Sequence, residues 1–284
     1  MSDRGWGPPP HQSNTAGGHV ETEVGPARIT YECCPLCDNA TMAPQREASC
    51  DWHALYKPGL PTTMRWMRCT SCDHSFVDGY FNDGALELLF SDTHASQTPG
   101  HDAEAQRFVW ASTVEKVTAH VSQPLGAWLD VGLGNGSLLF TANEWGYRPV
   151  GLDLRPQTVD GMRRLGYEAY CCDLANHDVA AAYQVISLCD VLEHLPFPKL
   201  ALAHLHRLLR ADGVLLLSMP NLDSEVWAML DRANTNPYWG ELEHYHNFGR
   251  QRLLSLLDEV GFDFVHFAVS PRWRVTMEVV ARRR

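Results

Sequence analysis

Along the second half of the chain, short apolar runs alternate with stretches whose apolar positions recur three and four residues apart. The first spacing suits a strand buried on both faces, the second an amphipathic helix. Trp128–Val131 is the opening run, and Ser137-Leu138-Leu139-Phe140 begins a helical pattern after it. Val150–Asp153 reads as a second strand, followed by a helix over Pro156–Leu165 whose proline fits a first helical turn. Ala169–Cys172, Val185–Leu188 and Val214–Leu217 continue the strands, with the amphipathic stretch Lys199–Leu209 between the last two. A helix over Leu253–Val260 is stopped by Gly261, and two late strands, Phe264–Val269 and Arg274–Val280, complete the pattern. The order predicts an α/β fold with a doubly wound, mostly parallel sheet, closed along one edge by an antiparallel hairpin. Ligands then belong at the carboxyl ends of the strands, where Asp130, Asp153, Asp173, Asp190 and Asn221 all fall.

Upstream the periodicity changes. Residues 1–28 are rich in Gly, Pro, Ser, His and Asn and read as a mobile tail. Residues 29–80 carry two C-x-x-C pairs, Cys34-Pro35-Leu36-Cys37 and Cys69-Thr70-Ser71-Cys72. Four thiolates in that arrangement close a tetrahedral Zn²⁺ site joining short hairpins too small to fold alone. Cys33 is an alternative ligand to Cys34, which makes the better pair, and Cys50 and His53 are spare candidates that read first as packing residues. A closed four-cysteine site is structural rather than catalytic. Residues 81–123 supply bridging helices, Asp83–Phe90 and Ala103–Val121, and 124–284 the sheet domain. Phe108, Val109, Trp110, Val114 and Val117 recur as a core face, with a cleft wall the alternative for Trp110.

Composition narrows the function. A formal charge of −11 argues against a nucleic-acid or anionic-membrane surface. No apolar stretch reaches transmembrane length, and Met1–Gly25 lacks the apolar core of a signal peptide. Nine cysteines fit a reducing compartment, so a cytoplasmic protein without membrane insertion is expected.

The chemistry concentrates after the first strand. Gly132, Gly134 and Gly136 make a tight turn that lets a ligand approach the backbone. Asp153 ends the next strand, at the distance where a ribose hydroxyl is held. The spacing is G-x-G-x-G rather than the dinucleotide G-x-G-x-x-G, and Asp130 precedes it. A carboxylate there repels a pyrophosphate and suits an ammonium and a sulfonium, favouring S-adenosylmethionine over NAD. Asp173 reads either as an adenine contact with Leu174 against the ring or as a helix cap.

Leu129–Gly136, Gly151-Leu152-Asp153, Cys172-Asp173-Leu174, Asp190–Leu195 and Glu243–Phe248 together resemble a class I S-adenosylmethionine-dependent methyltransferase. The likeness is to the branch with an N-terminal zinc-binding module, and runs from about residue 32 to the C-terminus. It implies a Rossmann-like seven-stranded sheet and cofactor contacts at Asp130, Gly132, Gly134, Gly136, Asp153, Leu154, Asp173, Leu174, Cys189 and Asp190. His194 would line the floor near the sulfonium. Leu133 stands where the family often has a small or polar residue.

Methyl transfer to an alcohol needs alignment and removal of a proton, which suits histidine. His244 or His246 is the expected general base, oriented by Glu241 or Glu243, in a segment that also offers a lesser Mg²⁺ site. Tyr238 and Trp239 would stack on a sugar face, so the expected acceptor is a small molecule, a sugar or glycan, methylated on oxygen. C-methylation of a keto-sugar, O-methylation of a secondary metabolite and, further off, an NAD-linked oxidoreductase or a nucleic-acid modifier are the alternatives.

Overall fold

The structure, a computed structural model, describes residues 27–89, 97–272 and 275–284. The tail expected over 1–28 lies outside them except for Ala27 and Arg28, and Arg28 already opens the first strand. The N-terminal part holds β1 (Arg28–Thr30), β2 (Met42–Ser49), β3 (Thr63–Cys69), β4 (Ser75–Val77), β5 (Gly79–Phe81) and the short helix α1 (Asp83–Leu89). Next come α2 (Ala103–Thr118), β6 (Ala127–Val131), α3 (Ser137–Trp145), β7 (Arg148–Asp153), α4 (Pro156–Arg164) and β8 (Glu168–Cys171). The chain closes with β9 (Tyr183–Cys189), α5 (Pro198–Leu208), β10 (Leu209–Pro220), α6 (Glu225–Arg232), β11 (His246–Asn247), α7 (Arg250–Glu259), β12 (Phe262–Val269) and β13 (Thr276–Arg283).

Seven strands form one sheet in the order β12-β13-β10-β9-β6-β7-β8. The pairs from β10 to β8 are parallel, and β13 and β12 add an antiparallel hairpin at one edge. This is the doubly wound architecture that the alternating pattern predicts. β6 and β9 are buried along almost their whole length because helices cover both faces. The order reverses between β6 and β9, so β6 leads outward to β7 and the chain later returns to β9. In sheets of this kind a ligand crevice belongs at that switch point, beyond the carboxyl ends of the strands. Leu133 has a physical partner: it is buried, and a Cβ on Gly151 would lie 2.5 Å from its Cδ2. The bulkier loop residue is matched by a glycine in the neighbouring strand.

A second sheet runs β11-β4-β3-β2, so two residues from the C-terminal half complete the N-terminal hairpins. Trp66 in β3 donates from Nε1 to the carbonyl of Trp239 at 2.7 Å, and the two rings meet edge to face. The module and the large domain therefore share one apolar core. On α2, Trp110, Val114 and Val117 are buried, but Phe108 is 85% exposed, which corrects its place on the core face. No helix among the described residues is long and apolar enough to cross a membrane.

Candidate active site

The glycine loop leaves β6 and enters α3 with φ of 72° at Gly132, 55° at Gly134 and 78° at Gly136. These are left-handed values that a side chain disfavours. A Cβ at Gly132 would lie 2.6 Å from Val191 Cγ2, and one at Gly136 would lie 2.6 Å from the Met162 sulfur. Gly134 faces space instead, its nearest neighbour being the Gly132 carbonyl oxygen at 3.9 Å. The loop is thus packed from below and open above. Asn135 fastens it by donating to the His101 carbonyl at 2.7 Å and accepting from Ser137 N–H at 3.1 Å.

Asp130 lies beneath this loop and is 4% exposed. The Ser187 hydroxyl donates to it at 2.6 Å and accepts from Trp128 Nε1 at 2.8 Å. Burial pushes the Asp130 carboxyl up to about 7. Asp153 ends β7 as expected, yet Arg155 reaches back onto both of its oxygens, with Nε and Nη2 each at 2.8 Å. Leu154 beside it is 61% exposed at the crevice rim. Asp173 takes the capping alternative, accepting from Ala175 N–H at 2.8 Å. Leu174 is packed into the main core, which removes it as an open face for an adenine ring.

At the end of β9, the Cys189 thiol is held neutral by burial. Asp190 follows with φ of 57°, donates its N–H to the Ser218 carbonyl at 2.7 Å and pairs with Arg272. The Arg272 guanidinium lies 4.5 Å above the Trp110 ring. Trp110 thus belongs to the core and also supports a charge beside the crevice. Nothing in the sequence pairs Asp190 with an arginine 82 positions away.

A 3-10 turn over Leu192–His194 carries the next two groups, just beyond β9. His194 donates from Nδ1 to the Glu243 carbonyl at 3.0 Å, which fixes its ring and leaves Nε2 to accept. His244 meets it edge to face, with centroids 4.8 Å apart. Burial, then the charge of His194, holds His244 well below the usual histidine range. Glu193 is 1% exposed, and burial raises its carboxyl to about 8. Sequence reasoning passed over Glu193, although a lone acid between Leu192 and His194 was the available signal.

Three expectations in this segment are corrected. His246 does not face the crevice: its Nε2 donates to the Leu195 carbonyl and its Nδ1 accepts from His74, both at 3.0 Å. Burial lowers it to about 3, and no nitrogen remains to take a proton. Glu243 orients His194 through its backbone carbonyl, its carboxylate adding only charge, while Glu241 is bound by His53 at 2.9 Å. His53, read as packing, joins Trp66 and His74 among the zinc-module residues that reach this segment. Trp239 is 4% exposed between Trp66 and Trp227, and Tyr238 stacks on Trp227, so Trp239 has no free face for a sugar.

Cys34, Cys37, Cys69 and Cys72 come together with their sulfurs within 4.8 Å of one another and no disulfide among them. The Cys34–Cys72 and Cys37–Cys69 separations are 3.6 and 3.5 Å. A tetrahedral Zn²⁺ with bonds of about 2.3 Å needs ~3.8 Å between sulfurs, so the donor set fits that ion.

A glycine loop, a strand-end acid and a switch-point crevice in a seven-stranded sheet define the class of nucleoside-binding α/β enzymes. Residues 102–267 match the family described as "Methyltransferase domain", more than half of the chain, and the protein belongs to that family. Among curated relatives, the ubiquinone biosynthesis O-methyltransferase of Idiomarina loihiensis is 26% identical over 109 residues, 36% of this chain and 45% of that protein. The protein of the same name from Burkholderia pseudomallei is 25% identical over 138 residues, 46% of this chain and 57% of that one. The chain thus spans about half the length of the curated relatives it matches. Among solved structures, Burkholderia thailandensis 1,6-didemethyltoxoflavin-N1-methyltransferase, with S-adenosylhomocysteine bound, has a TM-score of 0.55 and 21% identity, over 76% of this chain and 98% of that one. Magnesium protoporphyrin IX methyltransferase from Synechocystis, also with bound S-adenosylhomocysteine, has a TM-score of 0.51 and 20% identity, over 73% of this chain and 90% of that one. At those identities the likeness is one of fold.

Proposed function

We propose that the protein is an S-adenosylmethionine-dependent methyltransferase acting on a hydroxyl of a small-molecule acceptor. One juxtaposition supports the reading: the His194 and His244 rings meet edge to face, 4.8 Å apart, just beyond the carboxyl end of β9, beside the strand whose own carboxyl end holds Asp130 and leads into the glycine loop. In this reading Asp130 faces the cationic methionine end, the open backbone at Gly134 admits it, and Asp153 holds the ribose once Arg155 turns aside. Methyl transfer is an in-line displacement, so what the protein adds is alignment and a destination for the hydroxyl proton. His194 suits that task. Burial alone would lower it, yet the neighbouring Glu193 and Glu243 charges outweigh burial and raise it.

Oxygen is the favoured atom because the curated relatives are named as O-methyltransferases. A carbohydrate acceptor remains the expectation drawn from the sequence, without Trp239 as its platform. An acceptor from a pathway such as ubiquinone biosynthesis is the alternative that the relatives' names favour, and phenols are the first to try. Zn²⁺ on Cys34, Cys37, Cys69 and Cys72 completes the assignment as a structural ion. The test is isotope transfer from methyl-labelled S-adenosylmethionine to a panel of sugars and phenols, beside calorimetric titration with S-adenosylhomocysteine and NAD. Binding of NAD with no affinity for S-adenosylhomocysteine would overturn the reading.

A further inference from the structure

The turn just beyond β9 holds more unsatisfied polarity than a proton relay requires. Both carboxylate oxygens of Glu193 are buried without a hydrogen-bond partner among the described residues, and so is Nδ1 of His244. A buried carboxyl with no hydrogen-bond partner is costly whether it is charged or neutral. Three such atoms in one place, on residues 1% and 8% exposed, call for a common partner.

One donor atom each from Glu193, His194 and His244 lies within 4.8 Å of the others. Donors around an ion with bonds of 2.0–2.1 Å stand ~3.3 Å apart, a change within reach of small side-chain rotations. The supporting shell is in place. His194 is oriented by the Glu243 carbonyl at 3.0 Å, as metal-bound imidazoles usually are. The Glu193 carbonyl accepts from Tyr245 N–H at 2.9 Å, which ties the turn to the strand segment carrying His244.

We propose that Glu193, His194 and His244 bind a divalent transition-metal ion, and that its open coordination positions take the oxygens of an acceptor with two adjacent hydroxyls. Two imidazole nitrogens and one carboxylate suit Zn²⁺, Fe²⁺ or Co²⁺; they do not suit Mg²⁺, which prefers an oxygen shell. Mg²⁺, the ion expected in the segment 237–246 that includes His244, does not suit this donor set. The inference rests on the methyltransferase reading for the identity of the acceptor, but not for binding of the ion itself. With the ion bound, His194 Nε2 would be a ligand, and the hydroxyl proton would leave to solvent from an ion-polarised oxygen instead of to His194.

The experiment is metal analysis of the full chain after loading with Zn²⁺ and dialysis, with Co²⁺ absorption as a second readout. The wild type is expected to hold two equivalents: one on the four cysteines, seen with Co²⁺ as strong thiolate charge-transfer bands, and one adding only weak d–d bands. Glu193→Gln and His244→Ala should each hold one, with the thiolate bands and S-adenosylhomocysteine affinity unchanged. Vicinal diols or catechols should perturb the weak bands in the wild type alone. One equivalent in the wild type, or a second equivalent surviving both substitutions, overturns the proposal and leaves the methyltransferase reading intact. A wild type that fails to bind S-adenosylhomocysteine yet takes up the second ion overturns that reading and spares the site. Circular dichroism separates loss of the ion from loss of the fold, and the two variants are independent of each other.

Discussion

His194 Nδ1 and the main-chain carbonyl of Glu243 are hydrogen-bonded at 3.0 Å across 49 residues of sequence. The carboxylate of Glu243 takes no part in that bond. Glu243→Gln should therefore keep turnover within about threefold, while His194→Ala should lower kcat by ~10²–10⁴. Steady-state kinetics on both variants, with S-adenosylhomocysteine affinity as control, checks the pair.

In its proposed role, Asp130 should make cofactor affinity depend on pH. Its carboxyl is raised from 3.8 to about 7, so in the free folded protein it keeps its proton well above the usual carboxylate range. An ammonium-bearing ligand favours the ionised form. Affinity for S-adenosylhomocysteine should be flat above about pH 7 and fall up to tenfold per unit below it. The unliganded protein should behave in the opposite sense. A raised acid pKa means that the folded state holds the proton more tightly, so stability declines as pH climbs from about 3.8 towards 7. Asp130→Asn should flatten both profiles, read by calorimetry and thermal unfolding.

The glycine loop separates crowding from backbone strain. Gly146, at φ 98°, has nothing within 4 Å of an added Cβ, whereas Gly132 has Val191 at 2.6 Å. Gly146→Ala should cost only the left-handed strain, ~1–2 kcal/mol. Gly132→Ala should cost more and abolish S-adenosylhomocysteine binding. Equal destabilisation of the two by denaturant titration would contradict the packing described.

Chelation should melt the whole chain. Structural Zn²⁺ sites bind with ~10 kcal/mol or more, comparable to a domain's entire stability. Because Trp66 bonds Trp239 and β4 pairs with β11, loss of the ion is not confined to the N-terminal hairpins. Scanning calorimetry should show one cooperative transition that moves down with Cys34→Ser or a strong chelator. Two resolved transitions would refute the shared core.

The sheet was legible because each buried strand is a short apolar run and each helix a periodic one, as at Val185–Leu188 and Pro156–Leu165. The glycine turn and the strand-end place of Asp153 followed, since glycines and strand-end acids carry their reason locally. The acceptor side was less readable. An aromatic such as Trp239 looks the same in sequence whether it greets a ligand or fills an interface, and only Trp66 and Trp227 decide. His246 and His244 stand two residues apart on a segment whose neighbours differ completely, one meeting His74 and the other His194. Arg272 on Asp190 is a tertiary meeting with no local trace. The helix over Glu225–Arg232, with a single buried residue, left too weak a stripe to be seen.

The two-residue strand β11 also sets a timetable. On the ribosome the cysteine hairpins emerge first, but one edge of β4 stays unpaired until residues 246 and 247 leave the tunnel. For most of synthesis that edge is open to wrong partners. A gene cut before β11 would yield a fragment that can hold its ion and still clump.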